Sequence, residues 1–216
     1  MFVIACKWTE KSLILDCVNS IIKFHPEEKI VVVDSNSDNK EYFKKLPESV
    51  ITADIGNTNY LEGALWYCHE TYPEEDFFYL IQDSMILIGD VSDFKNRDVT
   101  TLSYFPYEYN PSTYGPSAMR NFCYEQITKN TNYSFLEPRW ALFGPTVYIK
   151  KLVLDRLKSR GFNKILPTNK MESEGMERLW ALVLEQEGYK MTEIGIRVNR
   201  EFFTNPYFIK HWLGRQ

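Results

Sequence analysis

The chain has no glycine-rich phosphate loop. Neither Gly-x-Gly-x-x-Gly nor Gly-x-x-x-x-Gly-Lys-Ser/Thr follows its first apolar run, which argues against a dinucleotide oxidoreductase and against a P-loop nucleotidase. No stretch reaches the roughly 18 apolar residues that span a bilayer. The balance of 25 Lys and Arg against 29 Asp and Glu leaves a net charge of −4, with no basic stripe, so a nucleic-acid partner is not expected. Met1 to Lys7 lacks the basic flank and the apolar length of a signal peptide. The four cysteines form no Cys-x-x-Cys pair, and Cys6, Cys17 and Cys68 lie inside apolar segments. They read as small buried hydrophobes in a reducing compartment, and the expected location is the cytoplasm. Histidine is scarce too: His25, His69 and His211 are the only three.

What is present fits one α/β domain. A chain of 216 residues with 44% apolar and 25% charged residues buries a full core without disulfides. Aromatics reach 15%. That suits either an aromatic-rich core or a site for flat, hydroxyl-rich rings.

Hydrophobic periodicity orders the first half. Phe2 to Cys6 is an apolar run expected of a strand buried on both faces. Glu10 to Phe24 carries Leu13, Ile14, Cys17, Val18, Ile21 and Ile22 at helical spacing, and Pro26 stops it. Lys29 to Asp34 is a second strand ending on a carboxylate, followed by the turn-rich Ser35 to Asn39. A short helix at Tyr42 to Leu46, a strand at Val50 to Ala53, a helix at Leu61 to Tyr72 and a strand at Phe77 to Ile81 continue the alternation. This is the doubly wound α/β pattern, in which ligands bind beyond the carboxyl ends of the strands. The second half is less regular. Strands are expected at Met85 to Ile88, Thr100 to Tyr104, Ala141 to Ile149 and Met191 to Ile196. Helices are expected near Ala118 to Lys129, at Lys151 to Arg160, and at Gly175 to Glu187 before Gly188, with polar loop from Leu166 to Glu174.

Three polar clusters follow apolar strands directly: Lys7-Trp8-Thr9, Asp34-Ser35-Asn36-Ser37 and Asp83-Ser84-Met85. Parallel strand ends converge on one rim, so these clusters can share a site; each carboxylate alone also suits a turn cap.

The segment Ile30 to Asp38 resembles the "VVDNGSTD" segment of the GT-A glycosyltransferases, especially the large inverting family 2. Asn57 to Ala64 is similar to that family's Asn/Gly-rich stretch, and Phe78 to Met85 to the strand leading into Asp-x-Asp. Gly144 to Lys151 resembles the acceptor-side segment, and Glu177 precedes Gly188-Tyr189-Lys190 by the spacing of the family's catalytic Glu-Asp. The resemblance runs from residue 2 to residue 190 and is loosely shared with virus-encoded glycosyltransferase domains. It implies a single GT-A domain over residues 1–216, with a mostly parallel central sheet flanked by helices. Residues 1–90 would be the nucleotide-sugar half and residues 91–216 the acceptor and catalytic half.

The resemblance also implies roles. Asp34 would bond the base, usually uracil, with Ala5, Cys6 and Lys7 at the rim of the base pocket. Ser35, Asn36, Asn59, Gly63, Gln82 and Ser84 would line the rest of the nucleotide-sugar. Asp83 would sit by a Mn²⁺ or Mg²⁺ ion and the diphosphate, and Glu177 would be the general base of an inverting displacement. Trp140 and Gly144 fall on the acceptor side. Two departures stand out. Asp83-Ser84-Met85 lacks the second carboxylate of Asp-x-Asp, and Glu174 competes with Glu177 for the role of base, Glu177 also suiting a first-turn helix carboxylate. His211 is the candidate second metal ligand, and Lys210 with Arg215 is the alternative clamp on the diphosphate. His25 and His69 read as structural or solvated. The function implied is transfer of a sugar from a UDP-sugar to a glycan or glycoconjugate hydroxyl. A nucleotidyltransferase making nucleotide-sugars is the second enzyme reading, although residues 5–12 lack its Gly-rich basic loop; a carbohydrate- or nucleotide-binding module without catalysis is the third.

Overall fold

The computed structural model describes residues 1–101, 104–106, 114–142, 144, 146–189, 197–198 and 202–211. The order begins β1 (Phe2–Cys6), α1 (Ile14–Phe24), β2 (Ile30–Asp34), β3 (Val50–Ala53), α2 (Tyr60–Thr71), β4 (Phe77–Gln82), β5 (Met85–Leu87), β6 (Val99–Thr101) and β7 (Tyr104–Pro106). It continues α3 (Pro116–Asn130), β8 (Trp140–Leu142), β9 (Val147–Lys150), α4 (Lys151–Ser159), α5 (Lys170–Gln186), β10 (Arg197–Val198), β11 (Phe202–Thr204) and β12 (Phe208–His211). A six-stranded sheet runs β3-β2-β1-β4-β9-β6. Its first four strands are parallel, β9 is antiparallel to β4, and β6 is antiparallel to β9. The fold class is therefore α/β with a mostly parallel central sheet flanked by helices, as the sequence implied. No helix among the described residues is long and apolar enough to cross a membrane.

Side-chain alternation explains why both faces are covered. Val3, Val31, Val33, Phe78, Leu80, Val147 and Ile149 point to one face, where α2, α3, α4 and α5 supply Leu65, Cys123, Leu154 and Trp180. Phe2, Ile4, Ile30, Val32, Tyr79, Ile81 and Tyr148 point to the other, where α1 supplies Cys17, Val18 and Ile21. Strands buried on both faces read as unbroken apolar runs, and that is why β1, β2 and β4 were visible in the sequence. All four cysteines are buried thiols.

Several boundaries differ from expectation. The strand expected at Thr100 to Tyr104 is divided between β6 and β7, which lie in different sheets. Residues 10–13 are not helical: Ser12 N–H bonds the Thr9 carbonyl at 2.9 Å in a turn, and the Ser12 hydroxyl is spent on Asp83. The span 141–149 is not one strand but β8 and β9 in different sheets, separated at Gly144, whose φ is +47°. The helix expected from residue 175 starts at Lys170. The Asn169 side chain accepts the Glu172 N–H at 3.0 Å, and the Glu172 carboxylate returns to the Thr168 N–H at 2.7 Å, a reciprocal cap. The short helix after β2 is a 3-10 segment, Glu41–Lys45. The strand expected at 191–196 and Arg215 lie outside the described residues.

β12 has a positional consequence. It pairs antiparallel with β5, Lys210 opposite Met85, and the His211 N–H donates to the Ser84 carbonyl at 3.0 Å. Lys210 and His211 thus lie at the carboxyl end of β4.

Candidate active site at the carboxyl ends of the central strands

The end of β2 is built around Asp34. Its carboxylate is 0% exposed and accepts the Ser37 N–H at 2.8 Å and the Tyr42 hydroxyl at 2.9 Å. Ser37 in turn accepts the Trp8 N–H at 2.8 Å, and the Trp8 ring lies parallel to Tyr42, centroids 6.2 Å apart. The Tyr42 phenol is held far above its ordinary range, by burial first and then by Cys6 and Asp34. Asp34 thus fixes the loop that carries Trp8, rather than presenting an open carboxylate for the base contact implied by the resemblance. Lys7 and Asn36 are exposed at this rim, and Ala5 is half-buried. Ser35 donates its N–H to the Cys6 carbonyl at 2.8 Å, and its hydroxyl accepts from the Asn57 amide at 3.2 Å.

Asn57 organises the entry to α2. Its amide also donates to the Tyr60 carbonyl at 2.9 Å, and its oxygen accepts the Asn59 N–H at 2.9 Å. A Cβ on Gly63 would lie 2.0 Å from that oxygen, so the packing requires glycine there. The Asn59 side chain crosses to the Pro167 carbonyl at 3.1 Å, tying this turn to the approach of α5.

Asp83 follows β4 and is 2% exposed. Its Oδ2 accepts the Ser12 hydroxyl at 2.9 Å and the Cys6 thiol at 3.4 Å. The Cys6 thiol is raised far above its usual range by burial, with the Asp83 charge adding to it. Asp83 therefore ties β1, the turn before α1 and β4 together. Among the described residues no group of three or more His, Cys, Asp or Glu side chains is arranged to hold a metal ion. His211 is half-buried beside Ser84, whose carbonyl accepts its N–H.

A second carboxylate converges from the other side of the sheet end. Glu177 lies in the third turn of α5, not the first, and its side chain is 19% exposed. Oε1 accepts the Gly144 N–H at 3.0 Å, and Oε2 lies 3.0 Å from Nη1 of Arg178, a fully buried guanidinium. Burial raises the Glu177 carboxyl above the ordinary range, against the pull of Arg178, the Gly144 N–H, Lys210 and Lys170. Gly144 is the pivot: a Cβ there would meet the Gln82 amide nitrogen at 2.4 Å and the Lys210 ammonium at 3.3 Å. Gln82, Gly144, Glu177 and Lys210 thus come together from β4, the β8–β9 turn, α5 and β12. Glu174, one turn earlier on the same face of α5, has Oε1 3.6 Å from Lys170 and a buried Oε2 without a hydrogen-bond partner. It does not share the Gly144 contact. Trp140, on β8, is half-buried against the core of the α2 and α5 face.

Three participants are not evident from the sequence. Ser12 lies in a span whose periodicity predicts a helix. Cys6 is expected as a buried hydrophobe at the rim of the base pocket, and its thiol instead bonds Asp83. Glu62 is 1% exposed and accepts the Trp180 indole N–H at 3.2 Å. The signal for Glu62 was present: Glu62, Leu65, Trp66 and His69 recur at i, i+3, i+4 and i+7, so the carboxylate shares a buried helix face. His69 belongs to that face as well and pairs with Asp155 at 2.8 Å.

The fold and this cluster define an α/β protein with a carboxylate-centred polar site at the carboxyl rim of its central sheet. No family model matches the chain, and no curated protein matches it. Among solved structures the chain is similar to TarS of S. aureus, at 14% identity and a TM-score of 0.48, over 84% of this chain and 33% of that one. The chain therefore spans a third of the length of TarS.

Proposed function

We propose that the protein is a glycosyltransferase that moves a sugar from a nucleotide-diphosphate donor, a UDP-sugar, to a hydroxyl of a glycan or glycoconjugate, with inversion. The observation that carries the reading is Glu177: a partly exposed carboxylate, raised above its ordinary range, held by the Gly144 N–H at the rim where Gln82 and Lys210 meet. A base poised closer to neutrality is better matched to removing a proton from an attacking hydroxyl.

In this reading the acceptor O–H gives its proton to Glu177 as its oxygen bonds the anomeric carbon. The bond from that carbon to the diphosphate breaks, and the electron pair leaves with the diphosphate. Sugar transfer passes through an oxocarbenium-like transition state, and the leaving group needs a counter-charge. Lys210, 7% exposed beside Gly144, is a cation suited to supply it. Gly144 and Arg178 fix both oxygens of the base, so its direction is preorganised. Asp83 holds the strand ends in register through Ser12 and Cys6. No step is assigned to a metal ion.

The test is release of UDP from a panel of UDP-sugars in the presence of hydroxyl acceptors. Turnover that falls about 10²–10⁴-fold in Glu177→Gln supports the reading. A native-state thermal shift with these donors but no turnover with any of them would replace it with the non-catalytic binding module.

A further inference from the structure

We propose that Glu62 is a positioning residue for Glu177: a neutral carboxylic acid stored on α2 behind the base, which leaves the one negative charge of the pair on Glu177. The inference rests on the reading of Glu177 as the base, but its geometry stands apart from any substrate.

Glu62 is 1% exposed, in the first turn of a helix whose buried face it shares with Leu65 and Trp66. Its Oε1 accepts the Trp180 indole N–H at 3.2 Å, and its Oε2 is buried with no hydrogen-bond partner. Trp180 and Glu177 are three residues apart on α5, so they lie on one helix face, and the indole places Glu62 on the side of α5 that carries the base. A fully buried ionised carboxylate is costly unless a cation pairs with it and its oxygens are hydrogen-bonded. Glu62 has only neutral donors, the Trp180 indole and its own backbone N–H, and its Oε2 has no hydrogen-bond partner. Arg178, Lys210 and Lys170 face Glu177 instead. The charged group that bears on Glu62 is Glu177 itself, from α5. Two carboxyls in this arrangement do not both ionise readily, and the cations decide which one does.

Burial pushes the Glu62 carboxyl up to about 8, with the Glu177 charge adding to the rise and the Trp180 N–H and its own backbone N–H opposing it. At neutral pH the proton therefore stays on Glu62. Glu177, which faces the cations, has its Arg178 pair and its Gly144 bond. Above that range a second negative charge appears behind the base and works against the first.

The Trp180 indole N–H reports on this directly, because its acceptor changes charge. The experiment is an ¹⁵N–¹H NMR titration of the tryptophan-labelled protein from about pH 6 to about pH 10, with the Trp180 signal assigned by its loss in Trp180→Phe. The wild-type indole signal is expected to inflect near pH 8. The inflection should vanish in Glu62→Gln, which keeps an oxygen acceptor and cannot ionise. In Glu177→Gln it should move down by about half a unit or more, because a like charge has gone. A wild-type signal flat across the range overturns the proposal, as does an inflection that persists in Glu62→Gln. A midpoint unmoved in Glu177→Gln overturns it as well, and needs no Glu62 variant to fold. Failure of the UDP-sugar assay would refute the transferase reading and leave these signals as they are, so the two failures are distinguishable.

Discussion

Replacing Gly144 with alanine tests the geometry of the site without any substrate. Two costs follow from the structure. The residue has φ +47°, in the left-handed region, where a Cβ costs about 1–2 kcal/mol. The new methyl would also lie 2.4 Å from the Gln82 amide nitrogen, 3.1 Å from its carbonyl carbon and 3.3 Å from the Lys210 ammonium. Overpacking of that kind costs about 1–3 kcal/mol, and the half-buried Gln82 side chain relieves part of it by rotating. The sum is about 2–4 kcal/mol. For a chain of this length that lowers the thermal midpoint by roughly 5–15 °C. Urea unfolding should show a lower midpoint with an unchanged slope, since the surface exposed on unfolding is the same. The variant should also loosen the Gly144 N–H bond to Glu177 and move the base off its line. A loss of stability below about 0.5 kcal/mol, the range of an ordinary surface change, would refute the reasoning.

Gly63→Ala should destabilise by about 1–3 kcal/mol in the same assay, because its Cβ would sit 2.0 Å from the Asn57 oxygen and displace the amide that holds Ser35 and Tyr60. Tyr42→Phe should cost about 1–3 kcal/mol, since it leaves one oxygen of the fully buried Asp34 without its donor. Stability should also fall as pH rises from about 5 to about 8. Glu62 binds its proton up to about 8 in the native state, whereas an unfolded glutamate releases it near 4.5, so across that window the native state holds more protons than the unfolded one. The cost is absent below the lower value and complete above the upper. Glu62→Gln should flatten that slope in denaturation curves taken at several pH values, and a slope that survives would assign it to another group.

The parallel core was legible because burial on both faces leaves no polar alternation to confuse the reading. β1 and β3 fall on the residues expected, and β2, β4 and α2 fall within one. The misses have local physical causes. Ser12 looks helical by its neighbours, but its hydroxyl is taken by Asp83, which is distant in sequence. The start of α5 was hidden by the polar run Thr168 to Glu174, although Asn169 with Glu172 is itself a capping pattern. β8 and β9 read as one apolar run because the break at Gly144 is made by backbone geometry, not by a polar residue. β12 carried no period-two signal of its own, and its pairing with β5 is long-range. At the site, strand-end placement marked Asp34 and Asp83 in advance. The sequence could not say that both would be buried and engaged, or that Glu177 would meet Gly144, Gln82 and Lys210.

The most direct measurement of the central claim is UDP formation from a UDP-sugar panel, with wild type and Glu177→Gln compared at matched folded fraction. The account expects turnover with at least one donor, reduced by about 10²–10⁴-fold in the variant while donor binding is retained. Turnover within about tenfold of wild type, a difference of only about 1.4 kcal/mol in the barrier, would contradict the assignment of Glu177 as the base.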